Sequence, residues 1–122
     1  MKTILVADDS LASRELLREV LEAAGYRVLE ATNGREALDV IRKNKPDLAF
    51  LDIRMPGMDG IGVVRELRKD IRFEALPVIA VTAYAMPGDR ERVVEAGFDS
   101  YITKPIDVDD LQKQVQALFD RE

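Results

Sequence analysis

Chemistry-bearing side chains fall at four places where an apolar run stops. Asp8 and Asp9 follow Ile4-Leu5-Val6-Ala7, and Asp52 follows Leu48-Ala49-Phe50-Leu51. Thr82 follows Val78-Ile79-Ala80-Val81, and Thr103-Lys104-Pro105 follows Tyr101-Ile102. A carboxylate beside such a run is costly to hold unless something compensates its charge. If the three carboxylates meet, they need either raised pKa values or a cation. The chain has no Cys and no His, which removes disulfides, thiolate metal sites, imidazole catalysis and His-ligated zinc. All-oxygen ligands suit a hard ion, Mg2+ or Mn2+, that keeps several waters and open coordination positions. Such an ion, the Lys104 ammonium and the Thr82 hydroxyl around one void would receive a phosphoryl group, and a remaining carboxylate could attack phosphorus in line. Asp52 is the expected nucleophile, because it stands alone on its strand facing the Asp8-Asp9 pair.

Whether these groups meet depends on the elements that carry them. Strands are expected over Thr3–Ala7, Arg27–Ala31, Leu48–Leu51, Val78–Val81 and Ser100–Ile102, the first, third and fourth as nearly continuous apolar runs suited to a sheet covered on both faces. Between them the apolar spacing turns helical. One stripe is Leu16, Leu17, Val20, Leu21 and Ala24, closed by Gly25 as a C-cap. The next are Ala37-Leu38-Ile41 and Ile61-Val64-Leu67. Val93 and Val94 mark a fourth helix, opened by Pro87 at its first position and closed by Gly97. Val108, Leu111, Val115, Leu118 and Phe119 mark the last, with Asp107 as N-cap. Five strand–helix repeats are too few for a barrel, so the expected fold is α/β, an open, doubly wound parallel (βα)5 sheet; taken as flavodoxin-like, its strand order is 2-1-3-4-5. In that order the first and third strands flank the switch point, where ligands bind beyond the carboxyl ends of strands. All the groups named above then share one edge.

Each group has an ordinary explanation when taken alone. Asp8-Asp9-Ser10 can cap the first helix, although Ser10 is the better cap if Asp9 is a metal ligand. Asp52 can be a strand-end turn residue, Thr82 an ordinary strand-end Thr, and Lys104-Pro105 a solvated turn. Their convergence on one sheet edge is what favours a site.

The 122 residues suit one domain, running from Thr3 to about Phe119. A net charge of −5 argues against nucleic acid as a direct partner. Apolar runs are too short for membrane insertion, and the N-terminus lacks the apolar core and cleavage site of a signal peptide. A reducing cytoplasm is the expected setting.

The motifs VADDS (6–10), LDIRMPGMDG (51–60), VTAYA (81–85) and YITKPI (101–106) agree in order, spacing and identity with a known family. The chain resembles, over its whole length (1–122), the receiver domain of two-component response regulators, like the chemotaxis regulator and other single-domain receivers. The resemblance implies that Asp52 accepts a phosphoryl group from a sensor histidine kinase or a histidine phosphotransfer protein. It implies Mg2+ held by Asp9 directly, by Asp8 largely through water, by Asp52 and by the backbone carbonyl of Arg54. Lys104 is similar to the lysine that pairs with the acyl phosphate, and its bond to Pro105 would be cis. Thr82 looks like the switch hydroxyl, Tyr101 like the aromatic that turns inward with it, and Ala83 like a position kept small beside the phosphoryl pocket. Arg54 and Tyr84 match positions that influence the lifetime of the phosphoryl group. No turnover enzyme is implied, only a domain that catalyses its own phosphorylation and dephosphorylation.

Signalling to a downstream protein would pass through the face made by the fourth helix, fifth strand and fifth helix, where Ala83-Tyr84-Ala85-Met86 is unusually apolar for a surface loop. The implied state is a monomer or a weak phosphorylation-dependent dimer. The Met two residues before the first strand favours a stand-alone receiver over an excised one. Other readings fit less well. A haloacid dehalogenase-type phosphatase needs an acid two positions after its nucleophile, where Arg54 stands here. A nucleotide-binding protein needs a glycine-rich phosphate cradle, and the Gly57-Gly60-Gly62 spacing does not supply one. A phosphorylation-independent module would be expected to lack an acidic or Lys position, and none is missing.

Overall fold

Continuous apolar runs make the centre of the sheet. In the computed structural model, which describes residues 1–83 and 88–121, β1 (Thr3–Ala7), β3 (Leu48–Asp52) and β4 (Val78–Thr82) are buried almost throughout. β2 (Arg27–Ala31) and β5 (Ser100–Thr103) are more exposed and lie at the edges. All pairings are parallel and the order is β2-β1-β3-β4-β5, the flavodoxin-like arrangement expected from the sequence.

Side-chain alternation along the strands divides the core into two layers. Ile4, Val6, Phe50, Ile79 and Val81 face one way and pack with Leu17, Leu21, Leu111 and Val115 of α1 (Leu11–Ala23) and α5 (Val108–Asp120). Leu5, Ala7, Leu51 and Ala80 face the other way and pack with Leu38, Ile41, Val63, Leu67 and Val93 of α2 (Gly34–Asn44), α3 (Gly60–Lys69) and α4 (Asp89–Ala96). Each layer is the apolar stripe of helices closing on one face of a sheet.

Several boundaries differ from those read in the sequence. Asp52, Thr82 and Thr103 belong to their strands: Asp52 pairs with Val81 and Thr82 with Thr103. Ladder bonds are made by backbone groups, so a polar side chain does not end a strand. α1 starts at Leu11 because Ser10 caps it, accepting the Ser13 N–H at 3.3 Å. Its C-cap is Ala24, and Gly25 follows with φ +95°, which moves the expected glycine cap by one residue. Leu16, Val94 and Val108 point outward, at 37%, 62% and 38% exposure. Gly97, at φ +116°, closes α4, and Asp107 caps α5 by accepting the Asp110 N–H. α4 begins at Asp89 behind Gly88; Pro87, expected to open it, lies outside the described residues.

Candidate functional site

The chain-end of each central strand delivers one polar residue to the same edge. Asp8 leaves β1 fully buried, Asp52 closes β3 at 5% exposure and Thr82 closes β4 at 3%. Asp9 is exposed. Carboxylate oxygens of Asp8, Asp9 and Asp52 lie within 4.8 Å of one another. Lys104 follows β5 and reaches back across β4: its Nζ lies 3.0 Å from Asp8 Oδ2 and donates to Asp52 Oδ2 at 3.1 Å. Its backbone N–H donates to the Thr82 carbonyl at 2.8 Å, which ties the lysine to the neighbouring strand end.

Local hydrogen bonds fix both buried acids. Asp8 N–H donates to the Ala31 carbonyl at 3.1 Å, and Asp8 Oδ1 accepts the Ser10 N–H at 2.8 Å. Because Ser10 does the capping, Asp9 is released from that task. Asp52 Oδ1 accepts the Arg54 N–H at 3.0 Å, an Asx-type turn that starts the following loop. Gly57 in that loop has φ +70°, a conformation glycine adopts without steric cost.

Charges are unevenly compensated here. Burial pushes the Asp52 carboxyl up from 3.8 to about 6, helped by the nearby Asp8 charge and opposed by the Arg54 N–H and Lys104. Burial also disfavours the Lys104 ammonium, but Asp8 and Asp52 outweigh it and raise its pKa. Asp8 Oδ2 is buried, and the Lys104 ammonium 3.0 Å away is the positive charge that faces it. Three carboxylates clustered within 4.8 Å around a single ammonium fit a hard divalent cation: the donor set is all oxygen, and a cation would relieve the repulsion.

A cleft of about 510 Å³ opens beside the acids, lined by Asp9, Arg54, Thr82 and Arg92 together with Ile53, Met55 and Val93. Ala83 lies in an exposed bend directly after Thr82. Tyr101 is half-buried, packed against the α2–α3–α4 layer, and its carbonyl accepts from Gln114 at 3.3 Å. The structure thus brings together Asp8, Asp9, Asp52, Thr82 and Lys104, with Arg54 and Ala83 at the margin. The Lys104-Pro105 bond is cis, as expected. Tyr84, Ala85 and Met86 lie outside the described residues, as does any contact of the expected docking loop that rests on them.

Gly60 was not legible as a site residue. A Cβ there would come 2.4 Å from the Asp52 carbonyl oxygen, so the first turn of α3 rests directly on the end of β3. Its N–H donates to the Ile53 carbonyl at 3.1 Å. In the sequence it is one glycine among several in a turn-rich loop, and only the tertiary approach reveals the constraint.

Residues 4–116 match the family described as response regulator receiver domain. The polar-differentiation response regulator DivK of Brucella anthropi is 42% identical over 107 residues, covering 88% of this chain and 87% of that protein. The chemotaxis protein CheY4 of Vibrio cholerae superposes with a TM-score of 0.90 at 30% identity, covering 97% of this chain and 98% of that one. The receiver domain of the sensor histidine kinase PA1611 of Pseudomonas aeruginosa, solved with a magnesium ion coordinated in its active site cleft, superposes with a TM-score of 0.88 at 32% identity, covering 96% of each chain. With its fold, its acidic edge and its sequence all agreeing, the chain belongs to the receiver domains of two-component response regulators.

Proposed function

We propose that this chain is a single receiver domain, residues 1–122, that is switched by phosphorylation of Asp52. The observation that carries the reading is the meeting of Asp8, Asp9 and Asp52 within 4.8 Å, with Lys104 bonded to Asp52, at the mouth of an open cleft. An Asp52 oxygen attacks phosphorus in line, the bond from phosphorus to the donor's histidine nitrogen breaks, and that nitrogen keeps the electron pair. The product is an acyl phosphate on Asp52 and a free imidazole on a histidine kinase or phosphotransfer protein. Asp9, Asp52 and the Arg54 carbonyl would hold Mg2+ directly and Asp8 largely through water, with Mn2+ as a substitute; when bound, the ion would supply positive charge to the phosphoryl oxygens. The magnesium ion of the PA1611 receiver supports that choice.

Lys104 neutralises the phosphoryl charge, a role supported by its pairing with both Asp8 and Asp52. The Thr82 hydroxyl donates to a phosphoryl oxygen, Ala83 leaves room beside it, and Tyr101 follows Thr82 inward. These contacts exist only in the phosphorylated arrangement, so phosphorylation raises its population. The changed surface is that of α4, β5 and α5, read by a downstream protein in the cytoplasm rather than by nucleic acid. The chain acts as a monomer or a weak phosphorylation-dependent dimer, and its only chemistry is its own phosphorylation and dephosphorylation.

Intact mass after incubation with acetyl phosphate tests this. A phosphate-sized increment that requires Mg2+ and disappears in Asp52→Asn is expected. Equal labelling of the variant would remove Asp52 as the acceptor.

A further inference from the structure

Asp8 and Asp9 are joined by one peptide, and the orientation of that peptide decides whether both carboxylates reach the same point. Its carbonyl, that of Asp8, accepts a hydrogen bond from Arg14 Nη1 at 3.0 Å. The same guanidinium donates through Nε to Glu30 Oε1 at 3.3 Å, and Glu30 Oε2 accepts from Arg18 Nη1 at 3.1 Å. Arg14 sits in the first turn of α1 with its side chain only 14% exposed, while Glu30 stands on the edge strand β2. A planar fork that bonds a carbonyl on one side and a carboxylate on another is a geometry that lysine cannot reproduce. The guanidinium therefore has two fixed partners, one on the acidic loop and one on the sheet.

We propose that Arg14, held by Glu30, is a positioning residue for the acidic pair: it sets the Asp8–Asp9 peptide so that both carboxylates converge on the cation. The proposal rests on the reading of Asp8, Asp9 and Asp52 as the Mg2+ site. Asp8 is also tied through its N–H, through Oδ1 and through the Lys104 ion pair at Oδ2, but those bonds hold its own N–H and side chain, whereas the Arg14 bond acts on the carbonyl of the peptide leading to exposed Asp9. The arrangement makes an opposing prediction to simple electrostatics. A cationic side chain near a Mg2+ site repels the ion, so removing its charge alone would tighten binding. Loss of positioning would weaken it.

Calorimetric titration with MgCl2 separates these cases in wild type, Arg14→Met, Arg14→Lys and Glu30→Gln, with the thermal midpoint of each measured alongside. Arg14→Met is expected to weaken Mg2+ binding about tenfold, with Arg14→Lys and Glu30→Gln weakened less but in the same direction. Without metal, the Asp9 amide resonance is expected to move in Arg14→Lys, a variant that keeps the charge and the aliphatic stem. Unchanged Mg2+ affinity in all three variants, with only their thermal midpoints lowered, would overturn the proposal in favour of a purely structural bond. Tighter binding in Arg14→Met would overturn it in favour of charge repulsion. If wild type takes up no Mg2+, or Asp52→Asn binds it equally well, the metal reading itself fails.

Discussion

Replacing the proposed phosphoacceptor should make the metal-free protein more stable. Asp52 is 5% exposed, its oxygens are engaged by Arg54 N–H and Lys104, and burial with the nearby Asp8 charge raises its pKa from 3.8 to about 6. A raised carboxylate pKa means that the folded state binds the proton more tightly than the unfolded chain does. Stability is therefore highest below the unfolded value and is lost as pH rises through the folded one, so the decline spans roughly pH 4 to 6. About two pKa units correspond to about 3 kcal/mol at 1.36 kcal/mol per unit. Asn keeps the side-chain shape and carries no charge, but it deprives Lys104 of one of its two anionic partners. The expected gain for Asp52→Asn at pH 8 in EDTA is then about 1–3 kcal/mol, or about 4–12 °C in Tm for a chain of this size. Near pH 4 the gap should close, because wild-type Asp52 is then protonated. Adding Mg2+ should raise the Tm of wild type more than that of the variant, since at a given concentration a ligand stabilises the folded state more the tighter it binds. Urea and thermal denaturation across pH 4–8, with and without Mg2+, measure all three. A variant less stable than wild type at pH 8 in EDTA, or a gap that ignores pH, would refute the claim that the charge is stranded.

Two further substitutions test how the site is held. Gly60→Ala would put a methyl 2.4 Å from the Asp52 carbonyl oxygen; backbone cannot yield as a side chain can, so a loss of about 1–3 kcal/mol in urea denaturation is expected, with weaker Mg2+ binding because β3's end must shift. Arg68, at the end of α3, donates to the carbonyls of Phe73, Glu74, Leu76 and Gly97 and to Asp99. Arg68→Ala orphans these acceptors and should cost about 2–3 kcal/mol, with amide exchange accelerated across residues 73–76 and the C-terminal end of α4; unchanged protection there would show that the carbonyls are satisfied by water.

What could be read from the residues and what could not divides along a physical line. The doubly wound parallel sheet was legible because LAFLD and VIAVT suit cover by helices on both faces and five repeats are too few for a barrel; the order 2-1-3-4-5 came with the flavodoxin-like form of that sheet. The edge that carries the site followed directly, since Asp8, Asp52 and Thr82 stand at the ends of ILVA, LAFL and VIAV. The exact ends of β3, β4 and β5 did not follow, because backbone pairing continues through Asp52, Thr82 and Thr103 irrespective of side-chain polarity. Leu16 and Val108 misled for the opposite reason: a single apolar residue on a helix can remain in water without penalty to the fold. Arg14, Arg68 and Gly60 were invisible because their meaning lies in contacts that only the folded chain makes. An arginine in a helix looks like a solvated charge until the carbonyl it serves is known, and Arg14 and Arg68 serve carbonyls 6 and up to 29 positions away. Side chains that carry the chemistry announce themselves by type and place; those that aim it are recognised only by whom they touch. For this fold the consequence is specific. The acids could be found from spacing alone, whereas the Glu30–Arg14–Asp8 connection, which ties the edge strand to the acidic loop, emerges only when β2 and α1 are folded onto β1.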